Sequence, residues 1–333
     1  IDTFGGLDDI EKGIIKTPTD PDKTFSDDPL RMFRAIRFSC ELNFDIDMNT
    51  QNSIKKNSNR LEILSSERIS DEINKILMSE MPSNGFKNLE KLNLLNHVLP
   101  ELIDLKGVEE VEGQTHKDNF YHTLEVVDNI SRNTENVWLR WAALLHDIGK
   151  APTKNFSKKI GWTFHGHEFI GSKMVKKIFT RLSLPLNEKL KYVQKIVMMS
   201  SRPIIISEDI VTDSAVRRLI YDARDDIDDL LTLCEADITT KNIKKSLIYQ
   251  NNFKIVRQKI KDVEERDSIR NFQPPITGEI IMAYFNIKPC KEIGLIKEKI
   301  KNAILDGDIR NDYKEAHDLM IKTGKSLGLK DEY

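Results

Sequence analysis

His146 and Asp147 stand side by side at the end of an apolar run, Trp141-Ala-Ala-Leu-Leu-His-Asp-Ile-Gly-Lys150. An ionised carboxylate there is costly unless a counter-charge or a metal meets it. The doublet offers one nitrogen and one oxygen from a single turn, so further ligands must come from elsewhere. Two residues have the right type and setting. His122 lies in Asp118-Asn-Phe-Tyr-His-Thr-Leu-Glu-Val-Val, a helical pattern. Asp237 shares a helix face with Leu230, Leu233 and Cys234, which turns a carboxylate to the buried side. Three helices would then converge on His122, His146, Asp147 and Asp237, with Asp147 the candidate catalytic residue. Mixed nitrogen and oxygen donors suit Mg2+, Mn2+, Ni2+ or a similar divalent ion.

The elements that must position these groups are helices. Val137, Trp141, Leu144, Leu145 and Ile148 recur at helical spacing. Gly149 supplies a helix stop, and Lys150 complements the helix C-terminus. Downstream, His165-Gly-His167-Glu168 sits on an expected loop, where either histidine could face a metal or a phosphate, His167 ahead of His165. Lys150 and Arg202 are further candidates for an outer or phosphate-binding role. For any single His or Asp of this kind, a hydrogen-bonded core or surface role is the ordinary reading.

The four ligands together resemble a known pattern. Leu144-Leu-His-Asp-Ile-Gly-Lys150, with a histidine upstream and an aspartate downstream, is similar to the HD superfamily of metal-dependent phosphohydrolases. The doublet alone is a weak signal, and the longer string is a specific one. Some HD relatives also carry a histidine before Arg-Pro. Ser200-Ser201-Arg202-Pro203 lacks it, which argues against a second metal.

A second cluster lies near the start. Ser26-Asp-Asp-Pro opens a helix, with Ser26 or Asp27 as cap and Pro29 tolerated in the first turn. Met32, Phe33, Ile36 and Cys40 share one face, and Arg31, Arg34 and Arg37 another. A solvated basic face is the ordinary reading, whereas contact with phosphate or nucleobases is the sharper one. Gly5-Gly6-Leu-Asp-Asp-Ile followed by Phe25-Ser-Asp-Asp-Pro-Leu-Arg-Met-Phe-Arg-Ala-Ile-Arg-Phe resembles class II tRNA nucleotidyltransferases, the CCA-adding enzymes, and the related bacterial poly(A) polymerases.

The resemblance implies that Asp27, Asp28 and Arg31 read the Watson–Crick edge of CTP or ATP, with Arg34 beside them, and that Ser66-Glu67-Arg68-Ile69 supports that helix. Asp27 stands where the family usually has Glu. The resemblance also implies that body and tail hold the acceptor and elbow of a tRNA, placing its 3′ end. The family's Gly-Gly-x-x-Arg-Asp turn, which precedes the carboxylates that bind Mg2+, does not occur in this sequence. The expectation is a neck-to-C-terminus portion of a longer protein, unable to transfer nucleotides as it stands.

Composition bounds the rest. The 333 residues predict two or three domains, and 39% hydrophobic with 31% charged residues suits a helical protein. A net charge of −2 excludes a uniformly basic coat, so nucleic-acid contacts must be local. No apolar run is long enough to span a membrane and no signal-peptide pattern opens the chain. Cys40, Cys234 and Cys290 form no Cys-x-x-Cys pair, and reduced thiols predict a cytoplasmic setting.

The expected architecture is all-α and elongated: residues 1–27 a remnant of the head and a loop, 28–110 the neck, 111–260 the HD domain, 261–333 a helical tail. Along it, Thr17–Lys23 is expected as loop and Met81–Gly85 as a helix break. A helix is expected from Val211, with Arg217 and Arg218 pairing with the acidic run Asp222–Asp229. A long charged helix is expected over 243–269. Two helices are expected in the tail, where Lys291, Gly294 and Lys297 could grip a phosphate backbone. Besides nucleotide addition, two readings remain: hydrolysis of 2′,3′-cyclic or other phosphoesters at the HD site, and a non-catalytic RNA-binding body.

Overall fold

A computed structural model describes residues 2–208, 212–267 and 269–330. Helices carry the fold, and strands among the described residues are limited to three two-stranded pairs, so the all-α expectation holds. The chain forms two compact units, one from Ile1–Ser201 with Asp228–Ser246, the other from Arg202–Ile227 with Leu247–Tyr333. No helix among the described residues is long and apolar enough to cross a membrane.

In the first unit the neck departs from expectation at its start. A helix runs Pro21–Asp27, with the Asp20 side chain accepting from the Lys23 amide at 2.8 Å. Asp-Pro is a cap followed by a first-turn proline, so the expected loop ends early. Ser26 and Asp27 therefore belong to this helix and cannot cap the next, Leu30–Leu42. Pro29 takes that place, and Asp28 just ahead of it accepts from the Leu30 amide at 3.2 Å. Met32, Phe33, Ile36 and Cys40 are buried as the spacing predicts, against helices Ser66–Leu77 and Pro82–Lys91. The break expected at Met81–Gly85 is shorter than that, because Pro82 opens a helix that contains Gly85. A β-carbon at Gly85 would lie 2.3 Å from Ile76 Cγ2, so this glycine serves helix contact and not a turn.

Helices Asn119–Ser131, Val137–Leu145, His167–Arg181 and Glu188–Met199 pack in the same unit. Asp118 and Asn136 cap the first two, accepting from Phe120 and Trp138 amides. Polar contacts tie them to the neck. Trp141 Nε1 donates to Asn74 Oδ1 at 2.7 Å, and Asp128 accepts from the Ser83 amide at 2.9 Å. Arg140, 2% exposed, donates to the carbonyls of Leu77 and Ser79 at 3.0 Å, Ser131 at 2.8 Å and Thr134 at 3.0 Å.

In the second unit, Thr212 caps helix Asp213–Ala223, and Val211 lies outside the described residues. Arg217 pairs with Asp267 at 2.7 Å, and Arg218 with Asp306 at 2.8 Å. Their partners are thus acids remote in sequence, and not the adjacent run Asp222–Asp229, because packing against helix Lys291–Asp306 brings Asp306 closer. The long helix is Ile243–Asp267. The tail holds three helices where two were expected: Gly278–Phe285, Lys291–Asp306 and Tyr313–Ser326. Asp312 starts the third, accepting from the Lys314 and Glu315 amides.

Candidate functional site

The cluster anticipated around Asp147 assembles within the first unit. His122, buried on helix Asn119–Ser131, places Nε2 2.8 Å from Asp237 Oδ1 and 3.6 Å from Asp147 Oδ2. His146 caps the end of helix Val137–Leu145, with Nε2 3.4 Å from Asp147 Oδ2 and 3.7 Å from Asp237 Oδ1. One donor atom from each of His122, His146 and Asp147 lies within 4.8 Å of the others. Asp237 adjoins them just past helix Ile227–Ala236, held by its amide donating to the Leu233 carbonyl.

The tautomers suit ligation. His146 Nδ1 donates to the Ala143 carbonyl at 2.8 Å, which leaves Nε2 as the nitrogen that faces the cluster and can ligate once its proton is displaced. That Nε2 is buried and has no hydrogen-bond partner. Burial alone would lower the pKa of His146, but Asp147 and then Asp237 outweigh it and raise it to about 10. The carboxylates respond in kind. Burial would raise Asp147 and Asp237, yet His146 with Lys150 at the first, and both histidines at the second, hold them below the usual carboxylate range. The pocket thus favours a positive charge, which a proton or a metal cation can supply.

Other groups complete the surroundings. Lys150 Nζ sits 2.6 Å from Asp147 Oδ2. His167 Nε2 lies 3.6 Å from Asp147 Oδ1, while its Nδ1 donates to the Phe164 carbonyl at 2.9 Å, repeating the His146 arrangement. His167 begins helix His167–Arg181 and is not in a loop, because Gly166 at φ 72° ends the loop ahead of it.

Gly149 explains the approach. A β-carbon there would fall 2.0 Å from the His167 carbonyl oxygen and 2.7 Å from the Gly171 amide. Its φ of −75° needs no glycine, so the residue is small to admit a helix, and not to stop one. His165 is exposed, with no hydrogen bond or ion pair to the cluster among the described residues. Arg202 pairs with Asp222 in the second unit.

Two members escaped the sequence reading. His122 Nδ1 lies 3.0 Å from Thr239 Oγ1 and 2.7 Å from Lys117 Nζ. Thr239 can accept from Nδ1 when Nε2 ligates, and Lys117 must then give way. The only signals were position: Lys117 precedes the helix cap Asp118, and Thr239 follows Asp237 by two.

In the neck, Asp28 is flanked by two arginines. Arg31 Nε is 3.9 Å from Asp28 Oδ2 and Arg68 Nη2 is 3.6 Å from Asp28 Oδ1. Arg31, Arg34 and Asp27 are exposed. The expected arginine stripe splits here. Arg37 is withdrawn from it, with Nε 2.6 Å from Glu72, Nη1 2.7 Å from Glu41 and its guanidinium 4.0 Å from the Phe38 ring centroid.

Two family models match parts of the chain. Residues 43–105 match a family described as the probable RNA and SrmB-binding site of polymerase A, and residues 119–242 match the HD domain. An A-adding tRNA nucleotidyltransferase of Deinococcus radiodurans is 27% identical over 93% of this chain and 71% of its own. A multifunctional CCA protein of Shewanella frigidimarina is 35% identical over 55% of this chain, which spans only 44% of that relative. The fold resembles that of the Bacillus stearothermophilus CCA-adding enzyme solved with CTP, with a TM-score of 0.65, 18% identity, and coverage of 98% of this chain and 70% of that one.

Proposed function

Because this chain belongs to the CCA-adding enzyme and poly(A) polymerase family, we propose that it serves in a tRNA nucleotidyltransferase that adds CMP and AMP to tRNA 3′ ends. One observation carries the reading: Asp28, at a helix start, held between Arg31 and Arg68 with all three open to solvent. A carboxylate accepts from the exocyclic amine of cytosine or adenine, and a guanidinium donates to their ring acceptors. Guanine and uracil present a carbonyl oxygen at that position, which a carboxylate repels. Asp28 and Arg31 would select the base, Asp27 would assist, and Arg34 would meet the phosphates or ribose. Transfer itself, with Mg2+, is assigned to a catalytic head whose Gly-Gly-x-x-Arg-Asp turn does not occur in this sequence.

The tRNA would be held by body and tail. A pocket of about 690 Å³ in the second unit is lined by Gly294, Lys297, Lys301 and Arg224, which supports a grip on backbone phosphates. The test uses protein from the full reading frame, tRNA transcripts ending before or within CCA, and each nucleotide separately. CMP and AMP are incorporated and GMP and UMP are not. AMP addition confined to transcripts ending in CC would assign the A-adding role that the Deinococcus relative's name carries. Absence of incorporation on every transcript would refute the reading.

For the HD cluster the proposal is a divalent ion, Mg2+, Mn2+ or Ni2+, held by His122, His146, Asp147 and Asp237. Buried His146 Nε2, without a hydrogen-bond partner and facing two carboxylates, supports the fit. Such an ion supplies Lewis acidity toward a phosphoryl oxygen and acidifies water near neutral pH. The same observation favours a second reading, hydrolysis of 2′,3′-cyclic or other phosphoesters. Lys150 would neutralise Asp147 and donate to a phosphate oxygen, and His167 would hold a proton at Nε2 near the same carboxylate. Elemental analysis alongside turnover of 2′,3′-cyclic AMP decides it: metal with turnover supports an enzyme, and metal without turnover leaves a structural ion.

A further inference from the structure

Aromatic side chains gather along one border of the metal-ligand cluster. The hairpin Asn155–Ser157 with Gly161–Thr163 carries Phe156 and Trp162. His116 meets Trp162 at 5.0 Å between ring centroids and Phe164 at 6.1 Å, and Phe156 meets Trp162 at 5.3 Å. All four rings are half-buried. A hairpin of this size cannot make a core of its own, and full burial would be the gain if packing were the rings' sole purpose. The interplanar angles run from 66° to 86°, so no parallel stack forms among them. The indole nitrogen of Trp162 is already satisfied, donating to the Gln114 carbonyl at 3.1 Å.

The rings are joined to the cluster by residues that touch both. Lys150 Nζ lies 5.8 Å from the Phe164 centroid and 2.6 Å from Asp147 Oδ2. His116 precedes Lys117, whose ammonium meets His122 Nδ1 at 2.7 Å. Farther out, Lys154 Nζ is 5.8 Å from the Trp162 ring. A ligand with its phosphate at Lys150 and the cluster would lay the rest of itself along Phe164, His116 and Trp162. Flat aromatic groups stack there, and every nucleobase has such a face.

We infer that His116, Trp162 and Phe164 form a nucleobase platform, so that this site takes phosphoesters of nucleosides in preference to those of simple sugars. The inference rests on the reading that the cluster holds a divalent ion. An RNA 3′ end and a free mononucleotide share the required chemistry.

The experiment uses the whole chain reconstituted with Mn2+. Metal content is measured first, for wild type and for Trp162→Ala and Trp162→Phe. Titration calorimetry then compares adenosine 5′-monophosphate, ribose 5-phosphate and a 3′-phosphorylated triadenylate. Wild type should bind the nucleotide at least about tenfold tighter than the sugar phosphate, as expected for stacking of one base. Trp162→Ala should bring the two within about twofold at unchanged metal content, and Trp162→Phe should keep most of the preference. Tighter binding of the triadenylate, lost in Trp162→Ala, assigns the platform to an RNA end; equal binding assigns it to a mononucleotide. Equal affinity of wild type for nucleotide and sugar phosphate, with metal present, overturns the inference. A base preference without bound metal keeps the platform and removes the metal reading instead.

Discussion

The neck and the HD cluster both set an aspartate against cations, in opposite surroundings. The Asp28 side chain is 32% exposed, with arginines at 3.6 and 3.9 Å. The Asp147 side chain is 3% exposed, with three histidines and Lys150 all within 3.6 Å. Groups that read a base must stay accessible, and their mutual pairing must be weak enough for a ligand to replace it. Ion pairs this exposed contribute little to stability, so Asp28 and its arginines can exchange partners at small cost. Asp147 is fixed by the core from every side, which suits an ion held in one geometry. The two sites share one compact unit but should fail independently.

The largest expected effect is at the cluster. Asp147→Ala should abolish stoichiometric metal by elemental analysis, and should leave nucleotide choice by the full-length protein unchanged. A simultaneous loss of base selectivity would show that the two sites are coupled. Next comes Arg140, which belongs to neither site but joins the two regions. Arg140→Ala leaves buried carbonyls of Leu77, Ser79, Ser131 and Thr134 unmatched. Chemical denaturation should show a loss of about 3–5 kcal/mol.

Gly149→Ala is subtler. It should push helix His167–Arg181 away, lower metal affinity by about tenfold and, as a forced overpacking, reduce stability by about 1–3 kcal/mol. Arg31→Ala should be smallest, within about 0.5 kcal/mol of wild type in the same denaturation assay. A larger loss would mean that Arg31 is structural, as Arg37 is.

The same contrast governs what could be read in advance. His122 lies on an apolar helix face, and His146, Asp147 and Asp237 sit just past the ends of two apolar helices, and that mismatch is visible in one dimension. So is the buried stripe Met32, Phe33, Ile36 and Cys40. Partner choice is not. Arg37 differs from Arg31 only in having Glu72 and Glu41 within reach, and Arg217 finds Asp267, 50 residues away. Gly85 and Gly149 read as punctuation, because a sequence displays a glycine without the Ile76 methyl or the His167 carbonyl that demands it. The start of helix Leu30–Leu42 is hidden for a related reason: Asp20-Pro21 starts a helix that uses up Ser26 and Asp27. Lys117 and Thr239 reach the cluster from either end of the HD match, and nothing in their own spacing announces it.

The most direct test concerns Asp28. Full-length protein carrying Asp28→Ala should be assayed for CMP, AMP, GMP and UMP addition to a tRNA transcript lacking CCA. The account predicts a fall in kcat/KM for CTP and ATP of about ten- to hundredfold, the scale of one lost base contact, with discrimination against GTP and UTP largely erased. Unchanged selectivity in that variant would contradict the assignment of the neck as the base-reading element.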